Sequence, residues 1–565
     1  MNLFQSKDDR ILPNAVVSIF LLLLFLSALG LRLDGATWGL PFRLHPDEWK
    51  YVGGAAKCDL GEWNPKYFRN PPGFTYLNAL WFPLWVPFPS PVEIPPWLGM
   101  KPNLAPPARD VATVWMNRPY DLVLGGRVLA AVFGSLTALG IYWAARNWCA
   151  RRIAGFAAVL TAVSFANVRE SHFAVNDTAM TFLVTLTLGW GFSALQKNSR
   201  AWFWVASFLG GVAVAFKYNA IAAGVTLWLG WGGAQWIAQT GQKERKSLLT
   251  QLGREVGIAC GLGLLGFLLV CPFPLLDPPT FQAEMKKLSQ ATVTGWPGQE
   301  KIWSGFLFLR SWLMSEGYLS VFFSLLGLAT LVRRRAWMSM IFPICYGVLI
   351  AGHPLYFMRF SLPVLPWFSY WAAEGIWACA DQARERKRIP VAGFLLLLCL
   401  FEPLLKDFRG NALLKQVDTR IECLRWLMTE EHSQVLVAAD QYGFPLPYRD
   451  VPEPWSTALD SRILFIDRLP SPELSRLGST SVPVGYVGVS TFAAFPGFLN
   501  DTYEERRDAL RRFAGMEQPI RRFSAFQDQR PPKPANVEDT YSPVTELWNR
   551  SRPGPMIEIF RMEKK

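Results

Sequence analysis

Two adjacent carboxylates and a histidine sit together in Arg43-Leu44-His45-Pro46-Asp47-Glu48-Trp49-Lys50-Tyr51, directly after the first strongly apolar stretch of the chain. Further polar clusters interrupt an otherwise apolar sequence: Arg169-Glu170-Ser171-His172-Phe173-Ala174-Val175-Asn176-Asp177, Lys217-Tyr218-Asn219 and His353-Pro354-Leu355-Tyr356-Phe357-Met358-Arg359. Ionisable groups at the edge of apolar spans are costly to hold unless they are used. A carboxylate can take a proton from an attacking hydroxyl, and Lys or Arg can stabilise a phosphate as it leaves. The set suits group transfer from a phosphate-linked donor. Asp47 is the candidate base. Glu48 is a second catalytic candidate, although adjacent side chains point different ways on a helix or strand. Asp177 either assists the chemistry or caps the helix that starts there. Lys217 and Arg359 are either donor-phosphate contacts or snorkelling helix ends. His45 and His172 are candidate substrate contacts, and an interfacial histidine is more often a hydrogen-bonding group than a metal ligand.

The elements that must position these groups are transmembrane. The 565 residues are 51% hydrophobic and 14% aromatic. The apolar residues come in blocks of roughly 16–25, the length that crosses a bilayer, and the blocks stop near residue 405. Eleven spanning candidates emerge: 11–31, 121–145, 153–169, 178–195, 201–216, 219–238, 256–272, 305–332, 337–352, 360–379 and 389–405. The first run is too long for the core of a signal peptide and reads as a retained helix. With the N-terminus inside, the short inner loops carry 16 Lys and Arg and the short outer loops 6. That asymmetry supports an N-in orientation and, with an odd number of spans, an outside C-terminus. All four polar clusters then fall on the outer face. The apolar segment 74–85 is short and crowded by Pro83, Pro87 and Pro89; it reads as a half-inserted interfacial helix anchored by Trp81 and Trp85.

The formal net charge of +13 would suggest nucleic acid in a soluble protein. Here Lys and Arg gather in the loops between apolar blocks, so orientation explains them and no nucleic-acid partner is expected. Eight cysteines form no CxxC pair; six are packing residues of apolar blocks, and Cys58 and Cys423 form the one candidate disulfide. Residues 406–565 read as an extracytoplasmic α/β module. Strands are expected at 433–439, 462–466, 484–489 and 556–560, and a helix at Asp501–Phe513. The domain reading is 1–405, with a long outer loop at 32–120 bearing interfacial helices, and 406–565. The fold class is a polytopic α-helical membrane protein of about eleven transmembrane helices with a C-terminal soluble α/β domain.

An ordered series of motifs resembles the GT-C-type membrane glycosyltransferases, in their dolichyl-phosphate-mannose–protein mannosyltransferase-like, phospholipid-carrier-dependent branch. The series is His-Pro-Asp-Glu-x-x-Tyr at 45–51, Phe-Arg-Asn-Pro-Pro-Gly at 68–73, Gly-Arg-Val-Leu-Ala-Ala at 126–131, Ser-His-Phe-Ala-Val-Asn-Asp at 171–177, Ala-Phe-Lys-Tyr-Asn at 215–219 and Arg-Phe-Ser-Leu-Pro-Val-Leu-Pro at 359–366. It covers about residues 10–405. The resemblance implies an inverting transferase in the plasma or inner membrane, metal-tolerant or dependent on a divalent ion such as Mg or Mn. Its partners would be a polyprenyl-phosphate-linked sugar and a protein, glycan or lipid acceptor. By position Asp47 resembles the catalytic first-loop acid, and Asp177 the second-loop acid that helps hold a metal or the acceptor. Lys217, Arg359 and Arg69 would contact the donor phosphate, and His45, His172 and Tyr51 the substrate. In relatives that modify lipid A an acid and a lysine precede the motif proline; here those positions are Arg69 and Asn70, which argues against a lipid A acceptor. The rival from another class is a transporter or flippase of a lipid-linked or polar solute. Such proteins place binding groups near the midplane of repeated halves, and no repeat is visible in this sequence.

Overall fold

The computed structural model describes residues 13–96, 110–239, 245–294, 302–430, 436–440, 444–445, 463–466, 484–490, 518–529 and 542–561. The N-terminal half contains α1 (Asn14–Leu33), α2 (Glu48–Asp59), α3 (Gly73–Trp85), α4 (Val111–Asn117), α5 (Pro119–Ala145), α6 (Arg151–Ala162), α7 (Phe165–Glu170), α8 (Asp177–Lys197), α9 (Arg200–Val214), α10 (Ile221–Gln239) and α11 (Arg245–Val270). Then follow α12 (Phe273–Leu276), α13 (Pro278–Thr294), α14 (Ser304–Glu316), α15 (Tyr318–Arg333), α16 (Met338–Ala351), α17 (Leu365–Ala380), α18 (Arg388–Leu414) and α19 (Thr419–Glu430). Short 3-10 turns at Tyr218–Ala220 and Met358–Val364 carry two of the polar clusters. The chain divides into two compact units. The first comprises 1–34, 62–77 and 127–407; the second comprises 35–61, 78–126 and 408–565.

Among the described residues five helical stretches are long and apolar enough to cross a membrane: α1, α5, α8, Lys246–Val270 and Glu385–Met428. A sixth is the pair α14 and α15, and α9 and α16 are apolar but shorter. This is fewer than the eleven spans expected. Two of those spans are broken in the structure. The 153–169 block divides into α6 and α7 around Val163 and Ser164. The 305–332 block divides into α14 and α15, which meet at 112°. Gly317 makes that corner at φ 77°, and a Cβ there would stand 2.7 Å from Glu402 Oε2. Tyr318 N–H, released from the helical ladder at the corner, donates to the same Glu402 oxygen at 2.9 Å. Composition reports apolar length but not where a backbone turns.

The first unit is assembled through small residues, which let helix backbones approach closely. A Cβ on Gly375 of α17 would collide with Phe323 O of α15, and one on Gly327 with Trp371 O. Ser324 Oγ donates across the same seam to Phe368 O at 2.8 Å. On its outer face α1 leaves Ile19, Leu22, Leu23 and Leu26 exposed, as a lipid-facing helix requires.

Among the described residues of the second unit five strands form one mixed sheet in the order β2-β1-β3-β5-β4. They are β1 (Leu436–Asp440), β2 (Ile463–Ile466), β3 (Val484–Ser490), β4 (Arg521–Phe523) and β5 (Ile557–Arg561). β1 runs parallel to β2 and β3, while β5 is antiparallel to β3 and β4. The four expected strands are present within a residue or three at each end, and the expected helix 501–513 lies outside the described residues. Trp426 of α19 packs on Tyr486 of β3 and Phe523 of β4, with ring centroids 5.9 and 6.1 Å apart. Trp81 and Trp85 of α3 donate to Gly125 O and Asp121 O at 2.9 and 2.8 Å, so both indoles are tied to α5. Cys58 and Cys423 are both buried free thiols, and the candidate disulfide between them is absent.

Candidate functional site

Asp177 opens α8 in the first unit, and its carboxylate is ion-paired with Lys217. Both side chains are enclosed, at 2% and 12% exposure. Asp177 is therefore not the helix cap. Asn176 occupies that position and makes no side-chain cap bond; its amide donates instead to Phe216 O at 2.5 Å, lashing the start of α8 to the end of α9. An acid at a helix N-terminus is also favoured by the helix dipole. The Lys217 ammonium lies 4.8 Å from the centroid of the Phe360 ring. Burial pushes its pKa below the ordinary lysine value and the Arg359 guanidinium pushes the same way, while Asp177 opposes both. Asp177 thus opposes the effect of burial and of Arg359 on the Lys217 ammonium.

Two residues around this pair were not singled out by the sequence reading. Asn219 Nδ2 donates to Tyr346 Oη at 2.6 Å, and Tyr346 donates to Phe360 O at 2.8 Å. They tie the Tyr218–Ala220 turn, which follows Lys217, to the Met358–Val364 turn, which carries Arg359. The Asn219 Oδ1 atom is buried without a hydrogen-bond partner. Tyr346 lies inside an apolar run, where spacing gives no cue to its role; Asn219 stands beside Lys217 in the 215–219 motif.

His172 is 1% exposed. Its Nε2 lies 3.0 Å from Asp34 O and its Nδ1 3.3 Å from Arg169 O. Burial lowers its pKa to about 4 despite these carbonyls, so the ring is neutral at pH 7. Arg169 and Glu170 form a buried ion pair beside it. Arg69 sits 3.4 Å from Glu284 of α13 and 5.0 Å over the Tyr67 ring.

In the second unit Asp47 precedes α2, and its carboxylate accepts from Lys50 Nζ at 2.6 Å. Its side chain remains 18% exposed. Its backbone N–H donates to His45 Nδ1 at 3.1 Å, so the buried histidine fixes the backbone that presents the acid. Glu48 and Tyr51 are each 4% exposed. Adjacent carboxylates thus divide as helical geometry requires, one towards solvent and one inward. The Arg43 guanidinium stacks 4.9 Å over Trp49, which packs 4.6 Å from Trp115.

Among the described residues no group of three or more His, Cys, Asp or Glu is arranged to hold a metal ion. Asp177 is matched by an ammonium and Asp47 by Lys50. This donor set does not fit a divalent ion.

Residues 121–249 match the family model described as dolichyl-phosphate-mannose-protein mannosyltransferase. That stretch carries the Gly126–Ala131, Ser171–Asp177 and Ala215–Asn219 motifs. A search of curated proteins finds no match. Among solved structures, the Archaeoglobus fulgidus oligosaccharyltransferase in the apo form is similar with a TM-score of 0.53 at 13% identity, over 83% of this chain and 69% of that one. The archaeal oligosaccharyltransferase AglB from the same organism, in complex with an inhibitory peptide and a dolichol-phosphate, has a TM-score of 0.51 at 12% identity over the same shares. ArnT from Cupriavidus metallidurans in the apo state has a TM-score of 0.49 at 15% identity, over 84% of this chain and 93% of that one. The first two establish a shared fold. With the family match they bear out the resemblance to the GT-C-type, mannosyltransferase-like membrane proteins.

Proposed function

We propose that the protein is a lipid-carrier-dependent glycosyltransferase that moves a sugar from a polyprenyl phosphate to a hydroxyl acceptor on the extracytoplasmic face, with inversion. The observation that carries this reading is the enclosed Asp177–Lys217 pair with Arg359 in electrostatic reach. It sets two cationic side chains and a carboxylate together in an apolar setting, at the N-terminus of α8. An enclosed patch of this kind suits a lipid-linked phosphate whose tail stays in the bilayer. The fold shared with an oligosaccharyltransferase solved with a dolichol-phosphate and a peptide supports the same donor class.

In this reading the Asp47 carboxylate accepts the proton of the acceptor hydroxyl. The freed oxygen attacks the anomeric carbon from the face opposite the phosphate. The bond from that carbon to the phosphate oxygen breaks, and both electrons leave with the lipid phosphate, whose charge Lys217 and Arg359 hold. Asp177 favours the protonated form of Lys217. Tyr346 and Asn219 fix the turns that carry the two cations, and His45 fixes the Asp47 backbone. Glu48, Tyr51 and His172 are enclosed and support the loops that carry the site. Arg69, matched by Glu284, stands in reserve as a third phosphate contact. The N-terminus is inside, and 406–565 is an extracytoplasmic domain that helps select a protein, glycan or lipid acceptor.

The test is transfer by protein reconstituted in lipid with a panel of labelled polyprenyl-phosphate sugars, wild type beside Asp47→Asn. Wild-type turnover that falls by about 100-fold or more in the folded variant supports both the reaction and the base. Turnover that survives moves the base to another acid. No turnover with any donor, together with movement of labelled lipid between leaflets, makes the protein a flippase.

A further inference from the structure

We propose that Arg420 is a positioning residue for the transfer site, clamping the segment that carries Asp47 onto the C-terminal chain. This rests on the reading of Asp47 as the base. The clamp is built from residues of the second unit alone. Its foundation is the Pro553-Gly554-Pro555 turn that leads into β5. Thr419 N–H donates to Pro553 O at 3.2 Å, and Thr419 Oγ1 to Pro555 O at 2.7 Å. Gly554 stands at φ +103°, and a Cβ there would collide with Thr419 Oγ1 and Asp418 Oδ1, so only glycine lets the two segments meet.

Asp418, so seated, accepts three hydrogen bonds from Arg420. They come from Nε at 2.8 Å, Nη2 at 2.9 Å and the backbone N–H at 3.0 Å. The fork is bidentate, a geometry that lysine cannot reproduce. The remaining arm, Nη1, donates at 3.2 Å to Leu44 O, 376 residues away in sequence. The guanidinium carbon also lies 5.9 Å over the ring of Trp38. Arg420 and Asp418 are each 1% exposed, and Leu44 and Trp38 each 2%.

An ion pair serving stability alone would be complete with Asp418. Here the fixed planar fork leaves one donor aimed at the backbone three residues before Asp47. Asp47 N–H is in turn held by His45 Nδ1. The chain of contacts therefore runs from the 553–555 turn through Asp418 and Arg420 to Leu44, His45 and the proposed base. Losing it frees the 35–47 segment to move while the Lys217 patch, in the other unit, keeps its own bonds.

The experiment uses full-length protein in lipid nanodiscs, as wild type, Arg420→Lys and Gly554→Ala. Amide hydrogen exchange and transfer kinetics are read on the same samples. Both variants should accelerate exchange about 10-fold or more in 35–51 and leave α9 and α11 at wild-type protection. The kcat should fall about 10- to 100-fold, the scale of a misplaced catalytic group, with KM for the lipid donor unchanged. Wild-type exchange in 35–51 in Arg420→Lys overturns the clamp. Protection lost throughout the chain in both variants assigns Arg420 to general stability and also overturns it, as does a rise in donor KM at unchanged kcat. If wild type transfers no sugar from any donor, the proposed function falls, while the exchange data still decide whether Arg420 holds the segment.

Discussion

Replacing Asp177 by Asn removes the counter-charge of Lys217 while keeping nearly the same volume. The pair is enclosed, at 2% and 12% side-chain exposure, so solvent does little to replace the lost partner. At contact distance and an effective dielectric of about 20, the attraction between unit charges is about 4 kcal/mol. Breaking one side of a buried pair costs about 3–5 kcal/mol, because an uncompensated charge remains. We expect Asp177→Asn to lose stability on that scale, and Lys217→Met to lose a similar amount for the mirror-image reason. The double variant Asp177→Leu, Lys217→Met leaves no orphan charge and should recover at least half of the loss, giving a coupling energy of about 2 kcal/mol or more. Transfer should fall in all three, because the double variant and Lys217→Met lack the Lys217 ammonium for the phosphate and Asp177→Asn leaves that ammonium without its carboxylate partner. The sign of the pH dependence is a further check. Burial holds Lys217 below the ordinary lysine value. The unfolded chain therefore binds more protons than the folded one below that value, and stability rises with pH there. Without Asp177 the depression deepens, so the deficit of Asp177→Asn should shrink as pH is raised from 7 towards about 10. Unfolding of the solubilised protein at several pH values measures these terms. A single variant within about 1 kcal/mol of wild type, the value of an exposed pair, refutes the burial argument. Full transfer by the double variant refutes the role given to Lys217.

Two further outcomes follow from the packing and the buried histidine. Gly327→Val pushes a branched side chain into Trp371 O and the Gly375 backbone and should cost about 2 kcal/mol or more; Gly393→Ala, with nothing within 4 Å of the added Cβ, should be neutral or stabilising by up to about 1 kcal/mol, and thermal unfolding compares the two. His172 has its pKa lowered to about 4 by burial, so the unfolded chain binds the extra proton first as pH falls. Stability should drop by about 3 kcal/mol between about pH 6.5 and 4, and His172→Gln should flatten that slope; an unchanged slope removes His172 as its cause.

The apolar blocks and the chemistry-bearing residue types were legible in the chain itself. Hydrophobic length is a local property, so α1, α5 and α8 could be placed without knowing their neighbours. Strands β1, β2, β3 and β5 were likewise readable from short β-branched runs, and β4, only three residues long, was not. The motif at 171–177 and the lysine at 217 were each visible, and their order along the chain carried the family resemblance. The N-cap role weighed for Asp177 rested on its place at a helix start, and the structure gives that place to Asn176.

What the sequence by itself determined is the inventory: apolar helices for a membrane, a set of acids and cations beside them, and a strand-rich C-terminal chain. Local composition specifies these because burial preference and backbone propensity act on neighbouring residues. Only the tertiary structure decided that Asp177 meets Lys217, that Tyr346 of an apolar helix joins two polar turns, that 305–332 bends at Gly317, and that Arg420 reaches Leu44. Each depends on where backbones far apart in sequence come to lie. That is set by helix packing through small residues and by the need to pair every buried charge, and no spacing within one segment encodes it.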